Sequence, residues 1–250
     1  MVELQLFIQV GKYKMFKKIF MLFKIGRRLS TSGAVSSIYE IYNPPLIIKI
    51  IFFIIGFDWG SKKNKNDLSP GLKLCSALQE MGTTFIKLGQ FLATRPDIIG
   101  ENIAKDLEKL QDKLPAFNLY EAKNILKKEL GENNFSKISS ISEPIAAASI
   151  AQVHFAKINH NKEITDVALK ILRPNIEKIF NEELDALMLL AYIIQSVIKK
   201  SKRLKLIEVV QLLREITNVE MDLRFEAAAA NELYENTKND VGFKVPKIYW

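Results

Sequence analysis

Along this 250-residue chain the spacing of apolar positions changes several times. Phe16, Ile19, Phe20 and Phe23 recur at helical spacing with lysines off that face, which predicts a basic amphipathic helix within residues 4–29. The apolar run 46–57 is 12 residues long and interrupted by Lys49. A membrane-spanning helix needs roughly 20 such residues, so an interfacial or buried helix is expected there. Residues 61–69 are polar and read as a linker. Leu72, Cys75, Leu78, Met81 and Phe85 then fall three or four apart and predict a helix over 70–92, capped by Ser69 with Pro70 at its first position. A helix over about 98–113 precedes Pro115, and another over 119–130 ends at Gly131.

From about residue 138 the period shortens. Ala151, Val153 and Phe155 alternate with more polar residues, as in a half-buried strand whose apolar face is the odd-numbered one. Asn159–Lys162 reads as a turn. Val167–Leu172 reads as a second strand, with Val167, Leu169 and Ile171 on one face and Ala168 and Lys170 on the other. Helical spacing returns over 176–199 and 206–219. The alternation followed by helices predicts an α+β fold.

Charge changes this picture at one end only. Residues 1–66 carry 11 Lys/Arg against 3 Asp/Glu, whereas residues 67–250 carry 25 of each, so the net +8 belongs to the N-terminal arm. Such an arm suits an anionic membrane surface, or else a helix docked on the rest of the chain with its lysines in water. No helix-turn-helix, zinc or RNA-stacking signature accompanies it, so nucleic acid is not expected as a partner. One cysteine and two histidines exclude a disulfide scaffold and any cysteine- or histidine-rich metal site, and no metal ligands are assigned. Cys75 sits at an apolar helix position and reads as a structural thiol. His154 reads as a hydrogen-bonded core or edge residue.

Chemistry concentrates around Lys170. A lysine in an apolar strand needs a negative partner, and Ala168 beside it leaves room for a flat ring. Val167-Ala168-Leu169-Lys170 matches the V-A-I-K strand of protein kinases, whose lysine holds phosphates and pairs with a helix C glutamate. In frame upstream, the kinase glycine-rich loop is replaced by Ala146-Ala147-Ala148-Ser149-Ile150-Ala151-Gln152-Val153. Alanine resists positive φ, so this loop should be stiffer. Together with Lys87-Leu88-Gly89-Gln90 (a K-x-G-Q motif), Thr94-Arg95-Pro96-Asp97, Leu110-Gln111-Asp112 and Glu220-Met221-Asp222 (an E-x-D motif), residues 70–250 resemble the UbiB family of atypical protein-kinase-like proteins, linked to ubiquinone biosynthesis. Ala93 and Ala116 are small departures from that pattern.

The resemblance implies a kinase-like N-lobe, a small antiparallel sheet plus helix C, with an N-terminal helical extension and a helical insertion at about 175–219. The expected organisation is a membrane-associating arm (1–66), a helical region with the K-x-G-Q motif (67–135) and the N-lobe (136–250). It implies ATP or ADP held by Lys170 and the segment Ile145, Ala146, Ala147, Ala148, Ser149, Ile150, Ala151, Gln152 and Val153. Lys87, Gln90, Glu220, Asp222 and Glu226 are the implied catalytic set. Asp222 and Glu226, four apart, are expected on one helix face. No H-x-D or D-F-G motif follows in context, so the catalytic C-lobe, and with it Mg²⁺, is expected outside this chain, which would then be inactive alone. The implied function is an atypical kinase or ATPase supporting ubiquinone biosynthesis, peripheral on the cytoplasmic face of a bacterial inner membrane. Its implied partners are ubiquinone-biosynthesis proteins or lipid-like intermediates. The alternative is a non-catalytic, membrane-associated interaction module.

Overall fold

The computed structural model describes residues 2–31, 46, 49, 50, 68–110 and 114–250. Most of the apolar run 46–57, residues 61–67 of the linker 61–69, and Gln111-Asp112 lie outside the described residues.

Helix α1 (Val2–Thr31) docks through Leu22 and Ile25, which are buried, while Phe16 and Phe20 remain 73% and 64% exposed. The aromatic stripe is therefore not the face that packs. Lys17 and Lys18 pair with Glu182 and Asp185 at 2.6 and 3.2 Å and help to fix the docked face. No helix among the described residues is long and apolar enough to cross a membrane.

The helix expected over 70–92 is two helices, α2 (Pro70–Met81) and α3 (Thr83–Ala93). The break is at Gly82, whose φ of 102° only glycine adopts without strain. It lets the buried Thr83 hydroxyl donate to the Ser149 carbonyl at 2.9 Å. Ser69 caps α2 as its sequence suggests, accepting from the Leu72 amide at 3.2 Å with Pro70 at the start. Its hydroxyl also donates to Asp106 at 2.5 Å, and that bond holds the Asp106 carboxyl below the usual carboxylate range. The expected 98–113 helix is likewise two short pieces, α4 (Pro96–Ile99) and α5 (Glu101–Leu107), divided at Gly100 with φ 84°. Helix α6 (Leu119–Phe135) kinks at Gly131, where the sequence suggests it ends, and continues for one more turn.

Three antiparallel strands follow in the order β1 (Ile138–Ala147), β2 (Ala151–His160) and β3 (Glu163–Leu172). The β2–β3 turn is tighter than expected: Asn161 and Lys162 both take positive φ, 53° and 68°, as a two-residue type I′ hairpin requires. The insertion is α7 (Ile176–Val197), a 3₁₀ turn (Lys199–Leu204) and α8 (Leu206–Met221), and α9 (Leu223–Thr237) follows. Helix α7 is apolar on two sides. Ala186 joins the core of Leu22, Cys75, Leu78, Phe85, Ile86 and Leu107, while Phe180 and Leu184 form a second core with Val210 and Leu213 of α8. Burial in that first core pushes the Cys75 thiol up, consistent with a structural role. Ile171 of β3 packs separately on Ala122 and Leu126 of α6. The sheet thus keeps one face for α6 and leaves the other open toward α3, α8 and α9.

Candidate functional site

The β2–β3 register decides what the open face carries. Val153 pairs with Lys170 and Ala151 with Leu172, while Gln152, His154 and Ala156 sit opposite Ile171, Leu169 and Val167. Paired residues share a face, so Val153 and Lys170 point away from α6. The alanine segment is not a free loop. Ala146 and Ala147 belong to β1, paired with Val153 and Gln152, and only residues 148–150 connect the strands. The Ala148 amide donates to the Ala151 carbonyl at 2.8 Å and closes the turn.

Beneath this hairpin lies a cavity of about 620 Å³. Ala146, Ala147, Ala148, Ile150, Ala151 and Val153 form its apolar wall. Lys170, Lys87, Glu220 and Glu226 supply its charges, and Val219 and Phe225 complete it. The size lies within the ~300–1,000 Å³ range of small-molecule pockets.

Two ion pairs organise the charges. Lys170 Nζ meets Glu226 Oε2 at 2.5 Å, joining β3 to the first turn of α9. The side chains are 39% and 61% exposed, so the pair contributes about 0–1 kcal/mol to stability. Its consequence is orientation. Helix α9 has no buried residue, and this contact ties its cavity side to the sheet. Lys87 Nζ meets Glu220 Oε2 at 2.9 Å, joining α3 to the end of α8, with Lys87 only 15% exposed.

A model of the ABC1 atypical kinase-like domain matches residues 109–250. The chain belongs to this ABC1 atypical kinase-like family. It is 37% identical over 184 residues to a probable protein kinase UbiB of Marinobacter nauticus, covering 73% of this chain and 33% of that protein. It is 34% identical over 216 residues to the one of Pseudomonas paraeruginosa, covering 85% and 39%. A third, of Azotobacter vinelandii, is 32% identical over 216 residues, covering 84% and 39%. The chain thus spans between about a third and two-fifths of the length of these curated relatives.

Several residues of this ABC1-family chain lie elsewhere than its sequence suggests. Gln152, expected at the cofactor, is 1% exposed on the inner face of β2. Its amide accepts from the Phe117 amide at 2.9 Å and donates to the Phe117 carbonyl at 3.1 Å. It also meets His154 Nε2 at 2.9 Å, and His154 Nδ1 meets the Ser142 carbonyl at 2.8 Å. With both Gln152 N–H groups donating, Nε2 of the imidazole accepts and Nδ1 carries the proton. The inner face is therefore polar but satisfied, and Phe155 on the outer face is 61% exposed, the reverse of the expected apolar side.

Asp222 does not share a helix face with Glu226. It is the N-cap of α9, accepting from the Arg224 amide at 3.1 Å. Its two oxygens also receive the Arg224 guanidinium at 2.8 and 2.6 Å, which holds its carboxyl below the usual carboxylate range. Gln90 is half-buried one turn along α3 from Lys87 and does not line the cavity. Ile145 is 49% exposed and Ser149 fully buried; neither lines it. Gly89 has a packing reason, since a Cβ there would fall 2.3 Å from Leu110 Cδ1 and 2.8 Å from Leu78 Cδ1. Val219 and Phe225 also line the cavity without a motif to mark them, although each immediately precedes a glutamate of the site. Nothing in the sequence marked Thr83 or Arg173, whose contacts with the hairpin are to backbone carbonyls.

Proposed function

We propose that this chain holds an adenine nucleotide, ATP or ADP, in the cavity under the alanine hairpin, as the nucleotide-binding part of a UbiB-like atypical kinase or ATPase supporting ubiquinone biosynthesis. The observation that carries the reading is Lys170, an apolar-strand lysine held by Glu226 at the edge of a cavity walled by small residues. The donor set suits a nucleotide. The alanines and Val153 offer a flat apolar wall for a base, and Lys170 offers a cation for the α- and β-phosphates. Glu220 and Glu226 are each engaged by a lysine, so they are not assigned as metal ligands. Mg²⁺ arriving with the nucleotide would neutralise phosphate charge. Lys87, anchored on Glu220, stands at the same cavity and narrows access to larger substrates.

The test is equilibrium binding of fluorescent ADP to the 250-residue chain with unlabelled competitors. ADP should compete well and GDP poorly, and Lys170→Met should weaken binding at least tenfold. Equal affinity in the variant would remove Lys170 from the site and the reading with it.

A second element concerns location. Met15, Phe16, Ile19 and Phe20 are more than half exposed on α1, among the lysines of the basic arm. This face favours peripheral adsorption to an anionic membrane, the cytoplasmic face of a bacterial inner membrane in the full reading. Lipid-like intermediates or biosynthetic proteins would then meet the site there. Co-sedimentation with anionic vesicles should fall with salt and with Phe16→Ser/Phe20→Ser. Salt-insensitive sedimentation, or no loss in the double variant, would exclude the face.

A further inference from the structure

The connection between β1 and β2 is gripped from outside the cavity chiefly by Arg173. The Arg173 guanidinium donates to the Ala148 carbonyl through both Nε, at 3.0 Å, and Nη2, at 2.7 Å. Nη1 and Nη2 also reach the Pro115 and Leu114 carbonyls at 2.9 and 3.2 Å. The Arg173 amide donates to the Ile150 carbonyl at 2.9 Å. One residue thus grips the three-residue connection at two carbonyls and ties it to the segment 114–117. Gln152 pins the other end of that segment through both backbone groups of Phe117. From the α3 side, Thr83 holds the remaining carbonyl of the turn, that of Ser149. All three carbonyls of residues 148–150 are therefore engaged by donors outside the hairpin.

We propose that Arg173 is a positioning residue: its planar fork locks the alanine hairpin to the 114–117 segment and holds the roof of the cavity in one conformation for the nucleotide. Planarity makes the consequence specific. Where a carbonyl is pulled toward Arg173, the N–H of the same peptide unit turns the opposite way. Fixing the carbonyls therefore fixes the amides of the turn. A lysine cannot substitute, because a point-charge ammonium does not present donors in a rigid plane to three carbonyls at once. The inference rests on the nucleotide reading for its purpose, but the clamp itself is a property of the fold.

Hydrogen–deuterium exchange on the 250-residue chain, with and without ADP, tests both separately. Arg173→Lys should raise exchange about tenfold in peptides covering 146–151 and 114–118 together, with α7 and α8 unchanged. Arg173→Ala should do the same, and millimolar ethylguanidinium should restore protection. If Arg173→Ala does not fold, Arg173→Lys decides alone. Unchanged exchange in these two segments, or loosening spread equally over α7 and α8, overturns the clamp. If ADP leaves the wild-type hairpin unaffected while Arg173→Lys loosens it, the clamp stands and the nucleotide reading falls. If ADP protects the wild-type hairpin and Arg173→Lys changes neither exchange nor ADP affinity, the reading stands and the clamp falls.

Discussion

Gly89→Ala, at the glycine of the K-x-G-Q segment, separates a packing role from a chemical one. Two opposing effects act at that position. Replacing a helical glycine by alanine favours the helix by about 1 kcal/mol. The added methyl would lie 2.3 Å from Leu110 Cδ1 and 2.8 Å from Leu78 Cδ1, both well inside van der Waals contact. Leu110 and Leu78 are 7% and 4% exposed, so neither moves without displacing its own neighbours. Overpacking of this kind costs about 1–3 kcal/mol. The clash should win by about 1 kcal/mol, which lowers the thermal midpoint by roughly 2–4 °C in a chain of this size. Leu110→Ala alone removes a buried side chain and should cost about 2–5 kcal/mol. The double variant makes the argument specific, because the new methyl occupies space that Leu110 vacates. It should cost less than the sum of the singles by about 1 kcal/mol. Thermal and urea unfolding of the four proteins supplies the cycle. A higher midpoint for Gly89→Ala, or strict additivity in the cycle, would refute the packing account and return the glycine to chemistry.

Two further outcomes follow from buried polar groups. Glu183 is 7% exposed, and burial pushes its carboxyl above the ordinary value of 4.5, against the opposing pull of Arg28 and Lys24. A carboxyl raised in the folded state stabilises fully below its unfolded value, and that contribution is lost as pH rises through the folded one. Glu183→Gln should therefore raise the thermal midpoint at pH 7. The gain should close as pH falls below the ordinary glutamate value, and a gain that persists there would sink the argument. Gln152→Ala leaves the Phe117 amide, the Phe117 carbonyl and His154 Nε2 without the partners they now have. At about 1–3 kcal/mol for each unsatisfied group, a loss of at least about 3 kcal/mol is expected in urea unfolding. A near-neutral result would mean that Gln152 is not the structural tie its contacts describe.

What this sequence determined by itself is what neighbouring residues decide among themselves. Ser69 with Pro70 starts α2, Gly131 breaks α6, and Val167, Leu169 and Ile171 face inward with Lys170 outward. The pairing of Lys170 with Glu226 was also legible, because a strand lysine requires a carboxylate and the motif register offered one. Tertiary structure decided the rest. Polarity along β2 named Phe155 as the buried face, yet Gln152 and His154 are inside, because partners at Phe117 and Ser142 satisfy every group they bury. Residues 70–92 keep a helical period through Gly82, but the chain breaks there, where Thr83 reaches Ser149, 66 residues away. The aromatic stripe of α1 outweighed Leu22 and Ile25 as an apolar face, but the acidic residues of α7 select the side that docks. Asp222 satisfies an orphan amide at the start of α9 instead of continuing a helical face. In each case periodicity reports how polar a residue is, whereas its position depends on the partner that only the folded chain brings to it.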